Sequence, residues 1–337
     1  MEYTMIRRLL VVSASIFGLL LPCTAGADTI YVLSNNDGRI VRYDSSNPAG
    51  TAVTLSGSGA LVNAAGLTLG PDGNLYVGES GDFSTIAPGI KRLDLATNTL
   101  STVHTFSAFD VFPGALAFKG NDLFVGRSPF YSDTGPIVRL VNATGGSSSA
   151  SNYTAGFSLA SSPGLAFGPD GSLYVSSMTY NFLSGNASGP VVKFDASGAY
   201  ANEVVASGST TGLYGPTGLG LAGTTLYTAS IMNGAVLKTD LSGPSTFAFG
   251  STGQPFGASP LAVLSDGGLI VGSAGGAGAI YQFDSTGNPV GTFNSGLGRI
   301  GGIVAVPEPS AIVLGAVGVV CLFKRLRQRR NRSSSNR

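Results

Sequence analysis

Histidine, cysteine and charge are all scarce in this chain. His104 is the sole histidine of 337 residues, and it lies in Thr99 to Phe106, a run that reads as a strand. A multi-histidine metal centre is thereby excluded, and a Ser-His-Asp triad has one place to start. The two cysteines, Cys23 and Cys321, sit in terminal apolar segments, so no disulfide framework braces the residues between them. Charged residues make up 11% of the chain against 43% hydrophobic, with 50 glycines. That is the composition of tight turns and packed strands, not of a helical bundle or a disordered tail. No G-x-S-x-G elbow or G-x-x-x-x-G-K-[ST] loop occurs. The net charge of +1 hides a split. Arg7, Arg8 and the seven bases of the last fourteen residues set aside, the middle holds ten basic and seventeen acidic residues, net −7. That balance argues against nucleic acid as a partner.

What is present is a repeat. Gly164 to Val175 (GLAFGPDGSLYV) is nearly the text of Gly66 to Val77 (GLTLGPDGNLYV). Looser copies are Ala115 to Val125, Gly218 to Thr228 and Leu261 to Val271. Aligned on Leu-Tyr-Val, the repeats fall at Tyr31, Tyr76, Phe124, Tyr174, Tyr227 and Ile270, with gaps of 45, 48, 50, 53 and 43 residues. Four short strands per 40–50 residues is the period of a propeller blade. Third strands follow at Arg39 to Asp44, Ile90 to Asp94, Ile137 to Val141, Val191 to Asp195, Val236 to Asp240 and Ile280 to Asp284. Weaker fourth strands follow at Thr51 to Leu55, Thr99 to Phe106, Tyr153 to Leu159, Tyr200 to Ala206, Ser245 to Phe249 and Pro289 to Phe293. Five third strands end in aspartate (Asp44, Asp94, Asp195, Asp240, Asp284), whose side chain can accept backbone amides and close the turn. A basic column, Arg42, Arg92, Arg139, Lys193 and Lys238, reads as the solvent face of those strands.

The first repeat lacks a first strand, and Gly301 to Val306 is an orphan with the look of one. The expected fold is therefore all-β: a six-bladed β-propeller over residues 28–306, closed by a C-terminal strand in the N-terminal blade. Closure removes two bare sheet edges. Small residues where six strands converge (Gly66, Gly114, Gly164, Gly218, Ser259, Gly302) read as packing.

Residues 1–27 read as a signal peptide: Arg7-Arg8, an apolar run from Leu9 to Leu21, and Ala25-Gly26-Ala27 as the signal peptidase site. A lipoprotein box at Cys23 is the rival. At the other end, Val306-Pro307-Glu308-Pro309-Ser310 precedes an uncharged apolar run, Ala311 to Phe323, and then Lys324 to Arg332, seven of whose nine residues are apolar or basic with five arginines. The run is short for a span, which needs ~20 residues, but flanking bases can snorkel to the interface. The prolines are expected to stay outside any strand ladder. Motif, apolar helix and basic end, in that order over residues 307–337, resemble the PEP-CTERM sorting tail. Pro307, Glu308 and Pro309 match its motif. The resemblance implies an exosortase-type membrane protease as partner, a transmembrane helix as transient anchor, and delivery to the cell surface or matrix of a polysaccharide-producing bacterium. A plain single-pass anchor is the alternative.

The repeats themselves resemble NHL-type and gluconolactonase-type propellers through G-P-D-G-x-L-Y-V. Gluconolactonase-type enzymes hold a divalent cation in the channel, which here implies calcium with Glu79, Asp82, Asp133 and Asn181 as candidate oxygen ligands. Asn35-Asn36-Asp37-Gly38 reads as a hairpin turn. A stronger lead is loop length. The connection from second to third strand is long in three successive repeats: Glu79 to Gly89, Gly126 to Gly135 and Ser176 to Gly189. They carry Phe83, Phe130, Tyr131, Tyr180 and Phe182 beside Asp82, Asp133, Asn181 and Asn186, a set suited to stacking on sugars or gripping a protein. Inward packing of the same rings is the competing expectation. The overall expectation is a non-catalytic binding module for carbohydrate or protein, with a calcium-dependent propeller lactonase or hydrolase as the alternative.

Overall fold

In five of the six repeats the centre of the second strand is an unbroken run of three apolar residues, such as Leu75-Tyr76-Val77 and Leu173-Tyr174-Val175, with no alternation, so both faces there must be covered. The computed structural model shows how. It describes residues 27–308 apart from 83, 108–110, 129–133, 147, 182, 244 and 277. Residues 28–306 form one compact unit, a ring of six four-stranded sheets. Blade 1 contains β1 (Asp28–Ser34), β2 (Ile40–Asp44) and β3 (Val53–Ser56). Blade 2 is β4 (Ala64–Leu69), β5 (Leu75–Glu79), β6 (Gly89–Asp94) and β7 (Thr99–Thr105). Blade 3 is β8 (Pro113–Lys119), β9 (Asp122–Arg127), β10 (Val138–Val141) and β11 (Ser149–Asn152). Blade 4 is β12 (Leu165–Phe167), β13 (Leu173–Ser176), β16 (Val191–Phe194) and β17 (Tyr200–Val205), with a separate hairpin of β14 (Thr179–Asn181) and β15 (Asn186–Ser188). Blade 5 is β18 (Pro216–Ala222), β19 (Thr225–Ser230), β20 (Ala235–Asp240) and β21 (Ser245–Ser251). Blade 6 is β22 (Leu261–Val263), β23 (Leu269–Gly272), β24 (Ala279–Phe283) and β25 (Pro289–Asn294).

The last strand, β26 (Ile300–Pro307), joins blade 1 beside β1. The Asn35 N–H donates to the Arg299 carbonyl at 2.9 Å, so the start of β26 meets the end of β1 and the two run in opposite directions. Further bonds tie the seam: Ser34 Oγ donates to the Leu297 carbonyl at 2.6 Å, and Asp28 Oδ2 accepts the Ser265 N–H at 2.7 Å. Pro307, expected outside the ladder, is the last residue of β26. A proline at the final position lacks only a donor that no further rung requires. Pro309, residues 1–26 and the rest of the tail lie outside the described residues. Among the described residues no helix is long and apolar enough to cross a membrane.

The core is a set of interblade layers. Leu75 and Val77 pack against blade 1, while Tyr76 between them packs against blade 3. This two-sided use explains the unbroken apolar run: β5, β13 and β23 are buried throughout. Burial fades outward, and β11 is exposed at every residue. Full burial of one such Leu or Tyr stabilises by roughly 1.5–3 kcal/mol. The fourth strand of blade 3 was expected at Tyr153 to Leu159 and is instead Ser149–Asn152. A strand with both faces in water carries no apolar signature, and the apolar residues that suggested one, Tyr153 and Leu159, belong to the interface between blades 3 and 4.

The inner strands approach each other closely. Gly66 has φ +77°, lies at a bulge between Ala65 and Leu67, and would place a Cβ 2.7 Å from the Gly114 carbonyl oxygen. A Cβ on Gly164 would lie 2.0 Å from the Thr217 oxygen. Packing, as expected, explains these positions. The third-strand aspartates close their turns as expected. Asp195 Oδ1 accepts the N–H groups of Ser197 and Ala199, and Asp284 Oδ1 those of Thr286 and Asn288. The basic column is more than a solvent face. Arg92 pairs with Asp72 at 2.9 Å, Lys193 with Asp170 at 3.1 Å, and Arg139 with Asp122. Each acid lies at the turn between first and second strands, so the cation ties that turn to the third strand.

Candidate functional site

Residues that end second strands and residues that begin first strands gather at one end of the central channel. They border a partly open recess to which all six blades contribute; its empty space, open solvent included, is about 550 Å³. Asn35, Arg299 and Gly301 come from blade 1, Ala65 from blade 2, Ser128 from blade 3, Pro163 from blade 4, Thr217 and Ile231 from blade 5, and Ser259, Pro260 and Ala274 from blade 6. Asn35 Nδ2 donates to the Ala64 carbonyl at 2.9 Å. The Thr217 hydroxyl is within 3.3 Å of the Ala229 and Ala258 carbonyls. Ser128 is 1% exposed, and its hydroxyl has no hydrogen-bond partner among the described residues. Among the described residues no carboxylate, histidine or cysteine lines this recess. The other end of the channel is lined by the inner-strand glycines and by Leu67, Leu116, Leu165, Leu219, Leu261 and Ile303.

The sequence reading missed what supports this rim. Three residues past the aligned position of each repeat stand Ser34, Glu79, Arg127, Ser177, Ser230 and Ser273, all buried. In five blades this side chain fastens the loop that leads into the same blade's first strand. Ser34 Oγ donates to Leu297 O, Ser177 Oγ accepts Ala160 N–H, Ser230 Oγ accepts Tyr214 N–H and Ser273 Oγ donates to Phe256 O. In blade 2 the fastener is Glu79, whose Oε1 accepts the Val62 N–H at 2.9 Å. The signal, a serine three positions after the aligned residue (Tyr31, Tyr174, Tyr227, Ile270) in four of six repeats, is present in the sequence but reads as ordinary turn composition.

Of the candidate cation ligands, the described ones are each engaged by their own surroundings. Glu79 was expected near its mouth. It is 3% exposed, faces the Val62 loop, and has its Oε2 3.4 Å from Lys91 Nζ. Asp82 accepts the N–H groups of Ile86, Thr85 and Ser84, and the Thr85 hydroxyl. Those donors, Ile86 N–H foremost, hold its carboxyl far below the usual range. Asp82 thus organises its own loop. Asp133 lies outside the described residues. Among the described residues no group of three His, Cys, Asp or Glu side chains is placed to hold a metal. The Asn35 to Gly38 stretch is a turn, with Asp37 Oδ1 accepting the Arg39 N–H at 3.2 Å.

Of the loop aromatics, Phe83, Phe130, Tyr131 and Phe182 lie outside the described residues. Tyr180 sits in β14, half-buried against the cluster of Met178, Ala187 and Ile231, from blades 4 and 5. Its ring packs the hairpin onto the rim. The hairpin tip is held by Asn181 Oδ1, which accepts the N–H groups of Leu183 and Ser184, and Leu183 is fully exposed. His104 is remote from the recess. Burial lowers its pKa, and its Nδ1 lies 3.2 Å from Ser148 Oγ.

Ring, channel and closing strand define the class: an all-β, six-bladed β-propeller. No family model and no curated protein matches the chain. Among solved structures, a chain from the crystal structure of a nidogen/laminin complex superposes with a TM-score of 0.65, over 83% of this chain and 98% of that one, at 15% identity. Likeness at that identity shows the fold alone.

Proposed function

We propose that this protein is an exported, non-catalytic binding module, delivered by its two ends. Residues 1–27 direct export and are removed by signal peptidase. Residues 307–337 present Pro307-Glu308-Pro309 to an exosortase-type membrane protease, which leaves the ring at the cell surface or in the matrix. The observation that carries the binding role is the make-up of the recess. Six blades converge on small side chains, an amide, an arginine and a buried hydroxyl with no partner among the described residues. A calcium-dependent hydrolase needs a cage of 6–8 oxygen ligands rich in carboxylate, and Glu79 and Asp82 are already committed to Val62, Lys91 and the 82–86 loop. A protein ligand fits better than a sugar. Tyr180 is packed into the rim rather than offered for stacking, and the similar solved chain comes from a complex between proteins. The test compares the secreted protein with Asn35→Ala/Arg299→Ala, presented in parallel with the host's purified surface proteins and its extracellular polysaccharide. Binding to one defined protein should be lost in the double variant while its melting stays cooperative and falls by only a few degrees, the cost of the Asn35–Ala64 bond. Undiminished binding by that variant, or lactone turnover with bound calcium, would refute the reading.

A further inference from the structure

One buried acid of the ring takes no part in the recess. Asp28, the first residue of β1, is 3% exposed and stands where the ring closes. Its Oδ2 accepts the Ser265 N–H of blade 6 at 2.7 Å, and its carbonyl accepts the Ser45 N–H at 2.9 Å. Its own N–H donates to Ser45 Oγ at 2.7 Å. Its Oδ1 is buried and has no hydrogen-bond partner among the described residues. A carboxylate oxygen taken out of water without a donor is strongly unfavourable. The neighbouring acids cannot supply one. Asp44, beside Ser45, is engaged with Ser46, and Asp266, beside Ser265, with the Gly268 N–H.

Asp28 is also the residue that cleavage after Ala25-Gly26-Ala27 leaves first. Hydrolysis breaks the Ala27–Asp28 C–N bond. The oxygen of water ends in the new Ala27 carboxylate, and its two protons end on the Asp28 nitrogen. That nitrogen then carries three donors instead of one, and a positive charge, in the same residue as the orphan oxygen. We propose that this cleavage completes the ring: the new α-ammonium keeps its bond to Ser45 Oγ, satisfies the buried Oδ1 of Asp28, and so locks blade 1 to blade 6. The proposal rests on reading residues 1–27 as a cleaved leader. The seam is weakest in the precursor and strongest in the processed chain.

The test uses the processed chain, residues 28–337 in detergent, in one form beginning at Asp28 and one retaining Ala27. Each is also made as Asp28→Asn, and melting is followed by circular dichroism. The Asp28-first form should melt several degrees higher at neutral pH. An α-amino group titrates at about 8 when free, and pairing raises that value in the folded state. The extra stability is therefore complete below about pH 8 and is lost as pH climbs through the raised value. Asp28→Asn should erase the difference between the two forms. Should that variant not fold, N-acetylation of the Asp28-first form restores an amide at the same atom and must erase the difference instead. Equal melting of the two forms at neutral pH, or a gap that survives both changes, overturns the proposal. N-terminal sequencing of the exported protein tests the leader separately: a mature chain starting elsewhere defeats that reading whatever the melting curves say.

Discussion

Deleting Gly301 to Val306 should unfold the entire ring rather than loosen one blade. The segment supplies most of β26. Ile303 is 6% exposed in the layer between blades 6 and 1, and Val304 and Val306 pack into the layer between blades 1 and 2. Burial of Ile303 contributes about 1.5–3 kcal/mol, and the two half-buried valines about 1–2 together. The ladder to β1 adds about 1 kcal/mol for each of its few backbone bonds. The loss is thus about 6–9 kcal/mol, set against ~5–15 kcal/mol for a whole domain. At ~2–4 °C per kcal/mol, melting should fall by roughly 15–30 °C, or its cooperativity should vanish. Thermal circular dichroism and calorimetry on the truncated chain read this directly. Phe247→Ala is the control. That ring is 60% exposed on an outer strand, and its removal should cost under about 0.5 kcal/mol. A truncated chain melting as sharply and within a few degrees of the full one would refute closure through β26.

Two further outcomes follow from single contacts. Glu79→Gln keeps an acceptor for the Val62 N–H and should cost less than Glu79→Ala, which strands that N–H and should cost about 1–3 kcal/mol in chemical denaturation; added calcium should shift neither variant nor parent. Asp170 is held down to about 2 by the Ser172 N–H first and by Lys193. Its contribution is therefore present above the unfolded value of about 3.9 and lost as pH falls through about 2. The pair is half exposed, so Asp170→Asn should cost under about 1 kcal/mol at neutral pH and nothing in strong acid.

The repeat was legible because the strands that carry it are buried on both sides. Tyr76, Tyr174 and their flanking Leu and Val cannot vary freely without opening an interface, so the sequence keeps their rhythm. The missing first strand of blade 1 and the orphan Gly301 to Val306 likewise pointed to each other. Outer strands were harder to place. Ser149–Asn152 touches water on both faces, and its neighbour Leu159 mimicked the strand it is not. The site was least legible. Whether Glu79 points into the channel or into the Val62 loop depends on backbone direction at the end of β5, and no spacing rule encodes that. The hairpin of β14 and β15 read as plain loop because its strands are three residues long and mostly polar.

One consequence of the seam concerns orientation. Asn35 and Arg299, where β1 ends and β26 begins, line the recess, whereas Asp28 lies with the turn residues Ser45 and Ser265 at the opposite rim. Chain entry and chain exit therefore share the rim that faces away from the recess. A fusion joined at either end therefore meets the ring at that far rim and leaves the residues around the recess clear of the junction.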